Sequence, residues 1–402
     1  MIFNLLKDGM LNALSQGLYR FSILLLFFLH VKQFGDNALY TTIIMILLTF
    51  QSLGTAGLSM AAITFTSKFE EKYSYLKNII GVSVFLAIVF AVIFYFSCEL
   101  ILDNILKKNY YVSNVEKIYF SFSVFLLCCT SVIKGFYYAF NKNHLIFVAS
   151  LSAVFFLLVL FFINNNLLYS YLASVIVEFL VLSIFFIGFL DFTKFWKSKY
   201  EYSKFKEILR FIIPSFLSSF FLMPVNIVVL GFIGGFYGEK IVNLYNLGLQ
   251  IRNALIFLPS SFSPILLKIT SSSVIGQGER KTVHTLYVLY SLITMFSIFL
   301  LLIVKQIMVD YFKIIGFMDI VFLGVGALFC SLTMVNFNSD LSNLRVNFVF
   351  FCNVFWGAAC ILTSYIFYGF LSYNLFIPLA LSYIFLFVFQ FIFGINNEAN
   401  SN

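Results

Sequence analysis

Charge is scarce in this chain of 402 residues. Asp, Glu, Lys and Arg together make up 10% of it, against about 25% in an ordinary soluble domain. So little polar surface cannot cover a globule in water, which excludes a secreted, cytosolic or nuclear protein. Histidine is nearly missing. His30, His144 and His284 lie apart, near segment ends, and form no catalytic or metal-binding cluster. The six cysteines, at 98, 128, 129, 330, 352 and 360, all fall in apolar runs without metal-knuckle spacing. They read as small packing residues, with no disulfide framework. There is no phosphate loop of the G-x-x-x-x-G-K-[ST] kind, no H-E-x-x-H and no nucleophile elbow. Nothing suggests ATP hydrolysis or an enzyme, and no cofactor or metal is expected. The surplus of basic residues, 25 against 17 acidic, is assigned to loops that orient a membrane protein and not to nucleic acid.

What is present in abundance is apolar bulk: 61% hydrophobic residues, with 56 Phe and 23 Tyr. A spanning helix needs about 20 apolar residues, so twelve of them account for about 240. Twelve apolar segments are found, near 9–31, 38–62, 79–102, 118–139, 145–163, 167–190, 209–235, 240–266, 285–307, 314–335, 347–369 and 373–394. Helix is the default for each, because backbone groups in lipid must be satisfied within the segment. Only Asn164–Asn166 divides the fifth from the sixth, which implies a hairpin. The first run holds Asn12, Gln16 and Arg20, unlike the apolar stretch of a signal peptide, and is expected to be an uncleaved helix. The longest polar connector, Asp191–Arg210, splits the segments six and six. The expectation is an all-α polytopic membrane protein, about 12 transmembrane helices in two six-helix bundles around a central cavity, with domains at 1–200 and 201–402. With both termini inside, alternate connectors carry 16 inside and 7 outside Lys and Arg, which supports cytoplasmic termini.

An internal repeat links the halves. Phe34-Gly35-Asp36 precedes segment 2 and Tyr237-Gly238-Glu239 precedes segment 8, each followed by a tyrosine and a polar Ser/Thr/Lys stretch. Parallel repeats of this kind occur in transporters.

Charges inside the membrane are expensive and face protein or water. In segment 1, Asn12, Gln16, Tyr19 and Arg20 fall on one stripe about 100° wide. In segment 8, Tyr245, Asn246, Gln250, Arg252 and Asn253 form a second stripe, and Pro259 and Pro264 should bend the helix beyond them. Glu178 is central in segment 6 and Lys134 lies toward the end of segment 4. Two readings are open for these charges: buried structural pairs, such as Glu178 with an arginine, or handling of a substrate or ion. Lys134 has the further option of snorkelling to the interface. Gly231 and Gly235 form a G-x-x-x-G pair, read as close helix packing. The phenylalanines are read mostly as lipid-facing bulk.

With twelve segments, the six-plus-six split and the stretches Phe34-Gly35, Leu53-Gly54-Thr55-Ala56-Gly57-Leu58-Ser59, Tyr245-Asn246-Leu247, Leu258-Pro259 and Pro264, the chain resembles the Wzx-type O-antigen and polysaccharide flippases of the multidrug/oligosaccharidyl-lipid/polysaccharide exporter superfamily. One departure is that Pro264 is followed by Ile265, with Lys268 further on, where the family usually has proline-arginine. The resemblance implies translocation of undecaprenyl-pyrophosphate-linked oligosaccharide, in lipopolysaccharide biosynthesis, from the cytoplasmic to the periplasmic leaflet of the bacterial inner membrane. Alternating access and a cationic cavity go with it. So do partners: the lipid-linked oligosaccharide, membrane lipids, and a polysaccharide polymerase and chain-length regulator. Arg20 and Arg252 are the expected head-group contacts, since guanidinium pairs with phosphate through two hydrogen bonds. Lys134, Asn12, Gln16, Gln250 and Asn253 complete the expected substrate set, and Glu178 is the candidate for coupling to an ion gradient. The alternatives are a drug or metabolite antiporter of the same superfamily and a polytopic O-antigen polymerase. An acidic cavity would mark the first, and a large basic periplasmic loop the second.

Overall fold

A computed structural model describes residues 7–19, 22–23, 43, 46–47, 50, 57–69, 71–106, 112–164, 166–237, 239–272, 278–307, 316–371 and 374–399. These residues are helical almost throughout and contain no strand. They form two compact units, Met1–Ile213 and Pro214–Asn402.

Unit 1 contains α1 (7–19), α2 (Leu58–Lys68), α3 (Lys72–Leu106), α4 (Asn114–Ala139), α5 (Asn143–Asn164), α6 (Leu167–Phe189), the short α7 (Phe192–Lys197) and the start of α8 (Tyr202–Tyr237). Unit 2 contains the rest of α8, then α9 (Glu239–Leu255), α10 (Phe257–Ser272), α11 (Gly278–Ile307), α12 (Phe317–Ser342), α13 (Val346–Ile366) with a π turn at Phe367–Leu371, and α14 (Ile377–Ala399). Seven described helices are long and apolar enough to cross a membrane. The molecule is therefore a multi-pass, all-α membrane protein.

Local chemistry sets the ends. Gly57 stands before α2 at φ 78°, a left-handed conformation open to glycine at little cost. Ser113 and Glu116 close a reciprocal capping box at the start of α4. Asn166 caps α6 by accepting from the N–H groups of Leu168 and Tyr169 at 3.1 and 3.2 Å. α5 and α6 therefore pack as the tight hairpin the asparagine run foretold. Along α5 the buried residues recur every three or four positions, at Ile146, Ala149, Ser150, Ala153 and Leu157, while Leu151, Phe155, Phe162 and Ile163 are exposed. An apolar outer surface with small and polar residues inside is what lipid as solvent selects.

Gly135 of α4 lets α2 approach. An added Cβ there would lie 2.7 Å from the Ser59 carbonyl oxygen and 3.0 Å from the Ala62 methyl. In unit 2 the same part is played by Gly248, where a Cβ would run into the Phe376 ring, and Gly357, where it would meet Phe221 and Val225 at 2.8 Å. The expected packing glycines, Gly231 and Gly235, do not act this way among the described residues: a Cβ at either meets none of their atoms within 4 Å. The G-x-x-x-G spacing put both on one face of α8, but no described residue packs there. All six cysteines are buried with free thiols.

Two further expectations change. Segment 8 is not one helix, because the chain breaks at Ile256 between α9 and α10, just ahead of Pro259. Segment 10 ends too early: α12 continues to Ser342 and buries Asp340 inside its last turns. The end of segment 1 and most of segment 2 lie outside the described residues.

Candidate functional site

Each unit holds a polar centre in its apolar interior. In unit 1, Lys134 Nζ lies 2.7 Å from Glu178 Oε1. Ser150 Oγ donates to the same carboxylate oxygen at 3.0 Å, and Ser15 Oγ donates to Ser150 at 2.7 Å. α4 and α5 thus meet the carboxylate of α6 directly, and α1 joins them through Ser150. Glu178 is buried and Lys134 half-buried. One turn along α1 from Ser15, the buried Asn12 accepts from the Tyr138 hydroxyl and from Gln16 Nε2 at 3.1 Å. Tyr19 and Ser174 share a hydrogen bond of 3.2 Å.

The stripe read from segment 1 therefore does face the bundle. Asn12 and Gln16 join this network, and Ser15 extends it. Arg20 lies outside the described residues. Among those described, the partner of Glu178 is Lys134, where an arginine had been one expectation. Lys134 does not snorkel; it turns inward to a buried acid. Its charge and that of Glu178 cancel locally, and the serine hydroxyls satisfy part of what remains, as a buried ion pair requires.

In unit 2 the centre is Arg252, near the end of α9. Its Nη1 donates to the Tyr383 hydroxyl at 3.0 Å, and the guanidinium carbon stands 5.4 Å from the centre of the Tyr383 ring. Trp356 also contacts that ring, with centroids 5.5 Å apart. Two buried donors here, Arg252 Nε and Trp356 Nε1, have no hydrogen-bond partner among the described residues. No carboxylate lies within 4 Å of Arg252 among them either. A cation with no counter-ion among the described residues, set among aromatic rings and beside a second N–H without a described partner, is a setting for an anion or another strong acceptor. Asn253 is exposed, and the side chain of Gln250 lies outside the described set.

Sequence reasoning missed several participants. Ser15 carried a usable signal, its position on the stripe between Asn12 and Tyr19. Ser150, Trp356 and Tyr383 carried none, since only folding brings Tyr383 to Arg252 across 131 residues. A second polar cluster in unit 2 was also missed: Tyr287 donates to Asn336, whose Nδ2 donates to Gln390 at 3.0 Å.

At the end of unit 1 where the connector packs, Lys204 pairs with Glu71 and, at 2.9 Å, with Glu201. Burial works against its charge, but the two carboxylates prevail and hold the ammonium above the ordinary lysine range. Asp191 caps α7, and the Lys194 backbone N–H it accepts from keeps its carboxyl below the usual range.

These features define the class: a polytopic α-helical membrane protein with a polar centre inside each of two helical units. The sequence model of the family described as polysaccharide biosynthesis protein matches residues 7–269, and the chain belongs to that family. Solved structures share its fold at low identity. One is described as the crystal structure of a MATE mutant (16% identity, 99% of this chain and 96% of that chain, TM-score 0.80). Another is an outward-facing multidrug resistance MATE family transporter of the MOP superfamily (15%, 99% and 95%, TM-score 0.78). A third is a MOP superfamily transporter from Pyrococcus furiosus whose reversed binding-pocket polarity is said to suggest a different function (16%, 98% and 95%, TM-score 0.75). A sequence search of the curated proteins matches none.

Proposed function

We propose that this chain is a flippase for a lipid-linked oligosaccharide, carrying an undecaprenyl-pyrophosphate-linked O-antigen or related repeat unit across the bacterial inner membrane by alternating access. The observation that carries this reading is Arg252. Its charge is unopposed by any described carboxylate, and its Nε and the neighbouring Trp356 N–H lack acceptors among the described residues. A pyrophosphate supplies both the missing charge and the missing acceptors. An organic-cation antiporter would gain nothing from an unopposed guanidinium, because like charges repel in a poorly screening interior. Membership in a polysaccharide biosynthesis family supports the same reading, while the fold shared with MOP-superfamily transporters fits a transporter of either kind. Arg20 is the proposed counterpart in the other half, and both termini are proposed to be cytoplasmic.

The Lys134–Glu178 pair has a different proposed role. It is internally neutral, so it offers little net attraction to an anion. The buried Glu178 carboxylate, held by one lysine, is proposed as the group that couples transport to an ion gradient.

The test is complementation of a flippase-deletion strain with Arg252→Ala and Arg252→Lys, at matched protein levels. Surface polysaccharide and the accumulated lipid-linked intermediate are both measured. Loss of polysaccharide with build-up of the intermediate is expected for Ala, and only partial recovery for Lys, which cannot bind phosphate through a fork. Normal polysaccharide in the Ala variant removes Arg252 from the site. Altered drug tolerance without any change in polysaccharide favours the antiporter instead.

A further inference from the structure

The connector between α6 and α8 differs from the rest of unit 1. It begins where the span Leu168–Phe189 ends, and its exposed side chains include Phe192, Trp196, Tyr200 and Tyr202, the last at 80%. Large aromatic residues facing outward next to a span are typical of the membrane–water interface. Charge on this stretch is one-sided. Its three acids are engaged: Asp191 with Lys194 at 3.3 Å, Glu201 with Lys204 at 2.9 Å, and Glu207 with the Tyr75 hydroxyl at 2.7 Å. The exposed cations Lys197, Lys199, Lys206 and Arg210 have no carboxylate within 4 Å among the described residues.

Between this stretch and α3 runs a groove of about 410 Å³, lined by Gly81, Val82, Tyr200, Tyr202 and Phe205 together with Asn78 and Glu201, whose carboxylate is neutralised by Lys204 at 2.9 Å. The missing side chain of Gly81 leaves it open, since a Cβ there would lie 3.1 Å from the Tyr200 hydroxyl. One turn before Gly81, the Lys77 ammonium stands 5.2 Å from the centre of the same Tyr200 ring and donates to the Ser198 carbonyl at 3.1 Å. It has no acidic partner among the described residues. An apolar slot with cations beside it and aromatic rings around it matches a molecule with a hydrocarbon chain and an anionic head.

We propose that this groove binds an anionic phospholipid of the surrounding bilayer, with an acyl chain along Gly81, Val82 and Phe205 and the headgroup phosphate against Lys77 and the connector lysines. The apolar lining disfavours a free phosphate, and the unopposed cations disfavour a zwitterionic lipid. The groove shares no residue with the proposed oligosaccharide centre, so its occupancy is measurable without transport.

The full-length protein, reconstituted in equal parts of phosphatidylglycerol and phosphatidylcholine, is extracted and its retained lipid counted by native mass spectrometry. Retention of phosphatidylglycerol over phosphatidylcholine is expected, at roughly fivefold per engaged cation, and high salt is expected to erase the preference. The triple variant Lys77→Gln, Lys197→Gln, Lys199→Gln is expected to lose it. Gly81→Leu, which fills the slot without altering charge, is expected to lower retention of phosphatidylglycerol. Equal retention of the two lipids by the wild type overturns the proposal, as does a preference that survives high salt or the triple substitution. The salt comparison needs no substitution and stands even if a variant fails to fold.

Discussion

Lys134 and Glu178 are held 2.7 Å apart inside unit 1, and Ser150 and Ser15 extend that contact to two more helices. A pair in this position costs more to break than to replace, because removing one partner strands the other charge in an apolar interior. Lys134→Met or Glu178→Leu alone is expected to destabilise the protein by about 3–5 kcal/mol. The double variant should recover much of the loss. The six buried thiols make the measurement direct: a thiol-reactive dye reports unfolding on heating, and the double variant should melt above either single one. A double variant that melts below both would show that the pair is not the unit of stability here.

Gly135→Val is expected to reduce folded yield sharply, since its Cβ would meet the Ser59 carbonyl oxygen, a backbone atom that cannot swing aside. Gly231→Ala and Gly235→Ala have open space around them and remove the entropic cost of glycine in a helix, about 1 kcal/mol each. Size-exclusion profiles of the three variants in detergent should separate the first from the other two.

Tyr383 makes two kinds of contact with Arg252, a hydrogen bond and a ring face. Tyr383→Phe keeps the ring and gives up the bond, worth about 1 kcal/mol or a several-fold loss of polysaccharide output. Tyr383→Leu gives up both and should cost roughly tenfold or more. Equal effects of the two would mean that the ring contributes nothing to holding the guanidinium.

The Lys204 contact should weaken in alkali. Its ammonium is held above the ordinary lysine range by Glu71 and Glu201, after burial has worked the other way. A group whose folded pKa is raised stabilises fully below its unfolded pKa, and the benefit disappears as pH rises through the folded value. Cleavage of the connector by subtilisin, which works in alkali, should therefore accelerate only beyond the ordinary lysine range. Lys204→Met should show the faster cleavage already at neutral pH.

Much of the fold was readable because lipid demands long apolar runs and leaves few alternatives for the backbone. The interior charges stood out for the same reason, and Glu178 and Arg252 are indeed the residues around which the polar centres form. What could not be read was partnership. Nothing local links Lys134 to Glu178 or Arg252 to Tyr383, as each contact joins distant helices. Asp340 escaped notice because the apolar run of segment 10 ends before it, while the helix does not. The glycine pair of α8 misled because spacing tells which residues share a face but not what that face meets. The packing glycines, 135, 248 and 357, have no partner at that spacing and were chosen by their neighbours.

The short join between α5 and α6, where Asn166 caps α6, also bears on biosynthesis. α5 ends at Asn164 and α6 begins at Leu167, a join short enough that Ser150 and Glu178 are expected to enter the bilayer together. A lone acid at mid-membrane costs about 3 kcal/mol on insertion scales. Here it arrives with a hydroxyl 3.0 Å away, and α4, made earlier by the ribosome, is already waiting with its lysine.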